Sequence, residues 1–441
     1  MNCVSIYAEE SKFTVENVAL GIQPQRFTKS RRVDWITGIF EISSYNCKKL
    51  LKEDQLCPVE LNSFYGDGSD HGCQPTVGRW VGGEWPKGHP LPLPRWGYAK
   101  HPLFFNNVEE YEELARFVES KVQRILQNHN YNTIGNFVRF YDEFKKSEET
   151  CLINFYRSYH PPISAEHHTC VGLSLELIHE LFVLEERFPG LIERLYLASC
   201  EECVDDIISY ASELPDPYDS EKEHVLVALK LNIAGRSGIL LLDPGYHIGR
   251  AVTVMQDCCY PHTGWFVQSN ENNCRKEYNY KFDFDNDDYV FWQVKDSRPN
   301  CAEKITENLV YIGVPYLAPV DVTERRNLVY EFKCLVSRNT DGRLVAGVYF
   351  PITPAGSDKF TVFYQDGGAT KREKICFESL ANGLTIDQKE SLSVCNEQLG
   401  FRKGVLFDML EYINGILRDD SFIREVLAIN QDIFNLGQAE E

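Results

Sequence analysis

Two apolar segments separated by a short polar turn constrain the fold of this chain more than any other feature. The segments HVLVALKLNI (224–233) and ILLLD (239–243) flank AGRSG (234–238). Apolar runs that meet at a small, glycine-containing turn are typical of a β-hairpin. Further short aromatic or β-branched segments follow, separated by polar turns. Residues 250 to about 380 are therefore expected to form a barrel or a sandwich.

The turn of this hairpin decides which side chains face each other. If the two turn residues are Ala234 and Gly235, the residue opposite His224 is Gly245, and Asp243 lies two positions away on the diagonal. Strand residues of matching parity point to one face, where diagonal neighbours lie within reach of long side chains. A turn displaced by one residue towards the C-terminus would leave Asp243 four positions from the residue opposite His224. We expect the first register because it joins strands of more similar length.

Cys170 lies at the start of a predicted helix. It follows His-His-Thr and precedes VGLSLELIHELFVLEERF, an apolar stretch that is expected to stay helical up to Pro189. Unpaired N–H groups and the positive dipole end at a helix amino terminus favour the thiolate, which is the nucleophilic form of cysteine. The same backbone amides are placed to hold an oxyanion.

Cys170, His224 and Asp243 together form a predicted catalytic triad. In such an arrangement Asp243 fixes the tautomer of the His224 imidazole, and the other ring nitrogen takes the thiol proton. The thiolate then attacks an acyl or amide carbonyl and forms a thioester. Taken alone, a cysteine is more often a small buried hydrophobe, and a strand histidine is more often structural. The prediction depends on the three residues occurring together.

A helix led by Cys170, followed by strands that carry His224 and Asp243, resembles the arylamine N-acetyltransferases and the wider transglutaminase-like (papain-like cysteine) superfamily. The best match is EHVLVALKLNIAGRSGILLLDPGYHIG, and the resemblance covers roughly residues 105 to 350. It implies an α+β fold with a papain/transglutaminase-like core, in which the nucleophile helix packs on an antiparallel β-barrel or sheet. It also implies acetyl-CoA as a candidate acyl donor, with no bound cofactor.

The resemblance leaves the reaction open. The chain has EHHTCVGLSLE where those acetyltransferases usually carry Arg-Gly-Gly before the cysteine and Glu-x-Asn after it. The superfamily also contains peptidases, amidases and members that have lost activity. The first hypothesis is N-acyl transfer to a small-molecule or peptide amine, with hydrolysis of an amide as an alternative. A different hypothesis is a catalytically inactive module that binds a protein partner through its acidic surface and the aromatic arm at 71–102.

Composition divides the chain into four predicted segments. They are an irregular Pro/Gly/Trp-rich extension, a helical subdomain bearing the cysteine, an antiparallel β domain bearing the histidine and aspartate, and a C-terminal helical cap, over residues 1–102, 103–220, 221–385 and 386–441. The tryptophans of the extension are expected to pack it onto the rest of the protein. Within the helical subdomain, LIERLYLASCEECVDDIISYASEL (191–214) is expected to be helical.

Charge and cysteine content exclude several partners and sites. A net charge of −20 opposes binding to nucleic acid or an anionic membrane through a positive field. No apolar run is long enough to cross a bilayer, and MNCVSIYAEESK is not a signal peptide. Fifteen scattered cysteines indicate reduced thiols and a cytoplasmic protein. CEEC (200–203) lacks a second pair, and DFDNDD (283–288) lacks the glycine and glutamate of a calcium loop, so no metal site is expected.

Overall fold

The fold is α+β and is built from two mainly antiparallel sheets with helices packed against them. A computed structural model of the 441-residue chain describes residues 84–165, 168–201, 204, 206–215, 223–271, 274–299, 301–354 and 357–437. Among these residues, no helix combines the length and the apolar character needed to cross a bilayer.

Helices predominate up to residue 215, strands predominate from residue 224 to residue 376, and helices predominate again from residue 378. The helices are α1 (Val108–Asn128), α2 (Thr133–Lys146), α3 (Leu152–Ser158), α4 (Cys170–Leu181), α5 (Leu191–Arg194), α6 (Ile207–Ala211), α7 (Arg325–Val329), α8 (Glu378–Asn382), α9 (Ile386–Gln398), α10 (Val405–Leu417) and α11 (Asp420–Phe434). Short 3₁₀ turns span Phe182–Leu184 and Asn435–Gly437, and a π-helical segment spans Pro319–Glu324. The strands are β1 (Leu103–Phe105), β2 (Tyr131–Asn132), β3 (Tyr196–Glu201), β4 (His224–Ile233), β5 (Arg236–Leu242), β6 (Val252–Met255), β7 (Phe266–Glu271), β8 (Cys274–Phe282), β9 (Tyr289–Ser297), β10 (Lys304–Tyr311), β11 (Phe332–Arg338), β12 (Leu344–Pro351), β13 (Lys359–Asp366) and β14 (Ala369–Cys376).

The larger sheet curls into a half-barrel. Its strand order is β6-β5-β4-β3-β10-β9-β8-β7, and β1 pairs in parallel with the far end of β4. The smaller sheet has the order β14-β13-β12-β11-β2. Helix α4 packs against β4, and α9 packs against β13. The nucleophile helix of the predicted site therefore lies directly on the strand that begins with His224.

The predicted hairpin register is the observed one. Strand β4 pairs with β5 from Ile233 opposite Arg236 to Val227 opposite Leu242, which leaves Ala234 and Gly235 as the turn. Both turn residues have positive φ, 52° and 83° respectively, as a type I′ turn requires. Continuing this pairing for three more residues beyond Val227 and Leu242 brings His224 opposite Gly245.

Both faces of strand β4 are buried. Its odd-numbered residues, such as Val225 and Val227, belong to the main core beneath the helices. Its even-numbered residues, such as Leu226 and Ala228, belong to a separate core inside the half-barrel. Because side chains alternate along a strand, His224 has the parity of the half-barrel core.

The helix predicted over 191–214 is wrong in its middle part. Residues Tyr196–Glu201 form β3, which lies between β4 and β10 in the larger sheet. All six residues of β3 are buried, so the strand has no alternation of polar and apolar residues. A short apolar run of this kind has the same appearance in a buried strand and in a buried helix. The larger sheet thus includes strands from both the segment predicted as helical (103–220) and the segment predicted as β (221–385).

The described part of the N-terminal extension is irregular and is packed by its aromatic side chains. The ring of Trp85 contacts Tyr156 edge-on, and the ring of Trp96 lies 5.0 Å from Tyr311 and 5.3 Å from Tyr316, centroid to centroid. The packing predicted for these two tryptophans is confirmed, whereas Trp80 lies outside the described residues.

The type I′ turn provides a test of the hairpin. Alanine is strained at positive φ, whereas asparagine tolerates this conformation, so we expect Ala234→Asn to raise the free energy of unfolding by about 0.5 to 1 kcal/mol. Ala234→Val, which puts a β-branched side chain at the same φ, is expected to lower it. Denaturant unfolding of the three proteins measures both changes. Equal stability of the two variants would contradict the assigned turn.

Candidate active site

His224 and Asp243 are in direct contact. His224 Nε2 lies 3.0 Å from both carboxylate oxygens of Asp243, so this nitrogen carries the proton that is donated to the carboxylate. The backbone N–H of Tyr246 donates to Asp243 Oδ1 at 2.9 Å and holds the carboxylate from the other side. Both side chains are only 2% exposed. The predicted diagonal contact across the hairpin is therefore observed.

Cys170 is the first residue of helix α4. The Thr169 side chain caps this helix and accepts a hydrogen bond from the Val171 N–H at 3.2 Å. The Cys170 side chain lies beside the His224 imidazole, since both border the same small space at Gly245, and it helps to raise the pKa of His224. Because Asp243 engages Nε2, the ring nitrogen that remains for the Cys170 sulfur is Nδ1. The three predicted residues thus form one chain of contacts from sulfur to imidazole to carboxylate.

Gly245 gives the three side chains the space to meet. A Cβ atom at this position would lie 2.5 Å from His224 Cε1, 2.8 Å from Cys170 Cβ and 3.2 Å from Asp243 Oδ1. Real Cβ atoms do not approach other atoms as closely as the first two distances. Position 245 can therefore hold only glycine if the contacts between the three side chains are to be kept.

The environment of His224 favours its charged form. Burial by itself would lower the pKa of the imidazole, but the Asp243 carboxylate and then the Cys170 sulfur raise the pKa of His224 to about 10. In a site this poorly hydrated, attraction between opposite charges is stronger than in water. The imidazole is therefore protonated at neutral pH, with the carboxylate on one nitrogen and the sulfur on the other.

An aromatic side chain fixes the plane of the imidazole. The Tyr246 ring lies over His224 with 3.8 Å between ring centroids, and Trp292 packs on the opposite side of Tyr246 at 4.9 Å. Both aromatic residues belong to the half-barrel core. This packing restricts rotation of His224 and keeps Nδ1 directed at Cys170.

A buried polar network anchors the amino terminus of α4. The Thr169 hydroxyl donates to Glu324 Oε2, and Asn136 Nδ2 donates to Glu324 Oε1 at 2.6 Å. Burial raises the pKa of Glu324 to about 7, although both hydrogen bonds act in the opposite direction. This network joins Thr169, the residue before Cys170, to helix α2 and to the π-helical segment.

Tyr131 is a site residue that the sequence did not reveal. It is buried beside Cys170, and burial, followed by the Cys170 side chain, raises the pKa of Tyr131 well above its ordinary value. Tyr131 lies on the two-residue strand β2, where it pairs with Val336 of β11. The guanidinium of Arg338, on the same strand β11, lies 5.9 Å from the centroid of the Tyr131 ring. A two-residue strand between two helices has no sequence pattern that would have identified it.

Three histidines near the site make other contacts. His168 is buried, and its Nδ1 would lie 2.4 Å from a Cβ at Gly172. His247 Nδ1 contacts Arg338 at 3.3 Å, and His262 Nδ1 accepts from the Met255 N–H. His167 lies outside the described residues.

The described residues include no group of three or more His, Cys, Asp or Glu side chains that would hold a metal ion. Cys200 of the CEEC motif is a buried residue of β3, paired with His224 in the strand register, and Cys203 lies outside the described residues.

Comparison of the chain with protein families, with curated proteins and with solved structures found no match. The functional interpretation therefore depends on the geometry of the site, and membership of the acetyltransferase or transglutaminase-like group stays a prediction.

The raised pKa of His224 predicts an imidazolium that persists above neutral pH. In NMR spectra of protein with ¹⁵N-labelled histidine, we expect His224 to remain protonated at pH 8 and to lose its proton near pH 10. Asp243→Asn should lower this midpoint because it removes the largest favourable charge. His262, whose pKa burial lowers, is an internal reference that should be neutral at pH 8. A neutral His224 at pH 8 would contradict the assignment.

The contacts at Gly245 predict a large effect of one methyl group. Gly245→Ala should separate Cys170 from His224 and remove any His224-dependent reactivity of the thiol. Gly415→Ala is a matched control because nothing lies within 4 Å of a Cβ at that helical position. Alkylation rates of Cys170 in both variants, with thermal unfolding as a check of the fold, measure the difference. Unchanged Cys170 reactivity in Gly245→Ala would show that the three side chains do not act together.

Proposed function

We propose that this chain is a cysteine-dependent acyltransferase with a papain/transglutaminase-like core, which works through a thioester on Cys170. The observation that carries the proposal is the continuous contact from Cys170 through His224 to Asp243 at the amino terminus of a helix. An orienting carboxylate, an imidazole and a sulfur in this order form the arrangement that activates a nucleophile. The Tyr246 ring packs on His224, and the absence of a side chain at Gly245 leaves room for the three side chains to meet.

In the first step, the Cys170 thiolate attacks the carbonyl carbon of the acyl donor. A carbon–sulfur bond forms, and the π electrons of the carbonyl move to its oxygen. When the tetrahedral intermediate collapses, the bond to the leaving group breaks and the leaving group takes the proton from His224. A His224 pKa of about 10 supports this sequence, because the imidazolium already holds the proton that the leaving group needs. Asp243 keeps the imidazole oriented throughout.

In the second step, the neutral His224 removes a proton from the acceptor as the acceptor attacks the thioester carbonyl. The second tetrahedral intermediate then collapses, the carbon–sulfur bond breaks, and Cys170 leaves as the thiolate beside the protonated His224. If the acceptor is a small-molecule or peptide amine, the product is an amide and the protein is an N-acyltransferase. If the acceptor is water, the protein is a hydrolase of the same mechanism. We propose transfer to an amine, with acetyl-CoA as the first donor to test. A net charge of −20 supports a neutral or cationic acceptor rather than a nucleic acid or an anionic membrane.

The proposed compartment is the cytosol. Cys258, Cys259 and Cys301 are exposed free thiols. Exposed thiols persist in a reducing compartment, whereas secreted proteins generally pair theirs.

A second candidate function is a catalytically inactive module that binds a protein partner. The observation that favours it is the burial of the site, since Cys170 is 1% exposed. A substrate would reach the sulfur only after a neighbouring segment had moved. In an inactive module the same three contacts would be structural, and the thiol would be protected rather than reactive.

Alkylation kinetics distinguish the two candidates. We expect iodoacetamide to label Cys170 at pH 7 about tenfold faster than the exposed Cys258, Cys259 and Cys301, because the adjacent His224 imidazole is placed to take the thiol proton during the reaction. The advantage should disappear in His224→Ala. Mass spectrometry of peptides from the native protein, quenched at successive times, measures each rate. Labelling of Cys170 only after unfolding would support the inactive module and overturn the acyltransferase.

A further inference from the structure

Two adjacent cysteines, Cys258 and Cys259, lie on the surface of the loop that follows β6. Both thiols are free, and both side chains are exposed. Free cysteine is among the residue types that are most often buried, because its side chain behaves as a small hydrophobe. Cys258 also has a φ of 53°, a left-handed conformation that favours glycine or asparagine. Neither packing nor backbone conformation therefore accounts for a cysteine pair at this place.

A side chain of the β4–β5 hairpin holds this loop. Arg236 Nε and Nη2 donate to the two carboxylate oxygens of Asp257 at 2.6 and 2.9 Å. The same guanidinium donates to the Cys259 carbonyl at 3.1 Å and to the Tyr260 carbonyl at 2.8 Å. The guanidinium is planar and rigid, so these hydrogen bonds restrain the main chain on both sides of the cysteine pair.

Hydrogen bonds within the loop add to this restraint. The Cys258 N–H donates to the Met255 carbonyl at 3.1 Å, and the Cys259 N–H donates to Asp257 Oδ1 at 2.9 Å. The Cys259 carbonyl also accepts from the His262 N–H at 3.0 Å. Both amides of the pair are therefore engaged by the loop itself, and the two thiols are left on the solvent side.

From this arrangement we infer that Cys258 and Cys259 form a dithiol site that chelates a trivalent, thiophilic centre, of which a monosubstituted arsenical is the simplest example. Thiolates are the ligands that soft centres of this kind prefer. Consecutive Cα atoms are about 3.8 Å apart, so rotation of the two side chains brings both sulfurs to one pyramidal centre. The inference does not depend on the proposed function, because it involves neither Cys170 nor His224.

Chelation of an arsenical needs no oxidant. The two arsenic–oxygen bonds of R–As=O break, and two arsenic–sulfur bonds form. The two thiol protons go to the oxygen, which leaves as water, and arsenic remains trivalent. The second arsenic–sulfur bond closes a ring within the chain, so it forms at a high effective concentration. A main chain that Arg236 already restrains loses less conformational freedom when this ring closes.

Protection from alkylation by phenylarsine oxide tests the site in the full-length protein. The protein is incubated with increasing phenylarsine oxide and then alkylated with iodoacetamide without unfolding, and mass spectrometry locates each label. We expect Cys258 and Cys259 to be protected together. Cys301 is the internal control, because it is an exposed free thiol between Asn300 and Ala302 and should be labelled as before.

Two variants separate chelation from binding to one thiol. In Cys258→Ser and in Cys259→Ser, we expect the remaining thiol to need about 10²- to 10⁴-fold more phenylarsine oxide for the same protection, because the ring can no longer close. Cys301→Ser is the matched control and should leave the protection of the pair unchanged. Thermal unfolding of the three variants checks that each keeps the fold.

Reversal distinguishes the chelate further. The dithiol 2,3-dimercaptopropanol should restore labelling of the pair, whereas the same thiol concentration of 2-mercaptoethanol should not. The inference is overturned if the pair is not protected, or if Cys301 is protected at the same concentration of phenylarsine oxide. It is also overturned if either cysteine alone is protected as well as the pair. Each of these results can be read whether or not Cys170 is reactive.

Discussion

The pairing of β4 with β5 is the constraint on which the candidate site depends. The Ala234–Gly235 turn fixes this register, and the register determines that Gly245 comes opposite His224 while Asp243 takes the diagonal position. If the pairing of β4 with β5 shifted by one residue, the Asp243 side chain would turn to the other face of the sheet. The hairpin is buried on both faces, so such a shift would also expose apolar side chains to water. The free energy of core packing thus maintains the geometry of two polar side chains.

Burial then determines the charges within the site. An isolated imidazolium or carboxylate would be costly in surroundings this poorly hydrated, but the paired charges of His224 and Asp243 stabilise each other. Because the folded pKa of His224 lies above its ordinary value of 6.5, protonation contributes to stability fully below about pH 6.5. That contribution is lost as the pH rises through about 10. In the proposed reaction, the same interaction would supply the proton that the leaving group needs.

The sequence predicted the parts of the site that depend on local rules. Turn chemistry and strand parity placed His224 and Asp243 together, and the apolar pattern after Thr169 placed Cys170 at the start of a helix. The sequence did not predict β3, because a strand buried on both faces has no alternation to distinguish it from a helix. Nor did it predict Tyr131, whose position is set by pairing with Val336, about two hundred residues along the chain. Contacts of that range leave no local pattern.

The candidate site lies where the two sheets approach each other. The larger sheet contributes His224 and Asp243, the smaller sheet contributes Tyr131, and helix α4 brings Cys170 between them. Arg338 links the two sheets directly, since this residue of β11 donates to the carbonyl of Pro244, immediately after Asp243, at 3.1 Å. A movement of one sheet relative to the other would therefore change the positions of His224 and Tyr131 relative to Cys170 together. Because Cys170 is only 1% exposed, a reagent that reaches its sulfur has to displace part of the packing between the two sheets and α4.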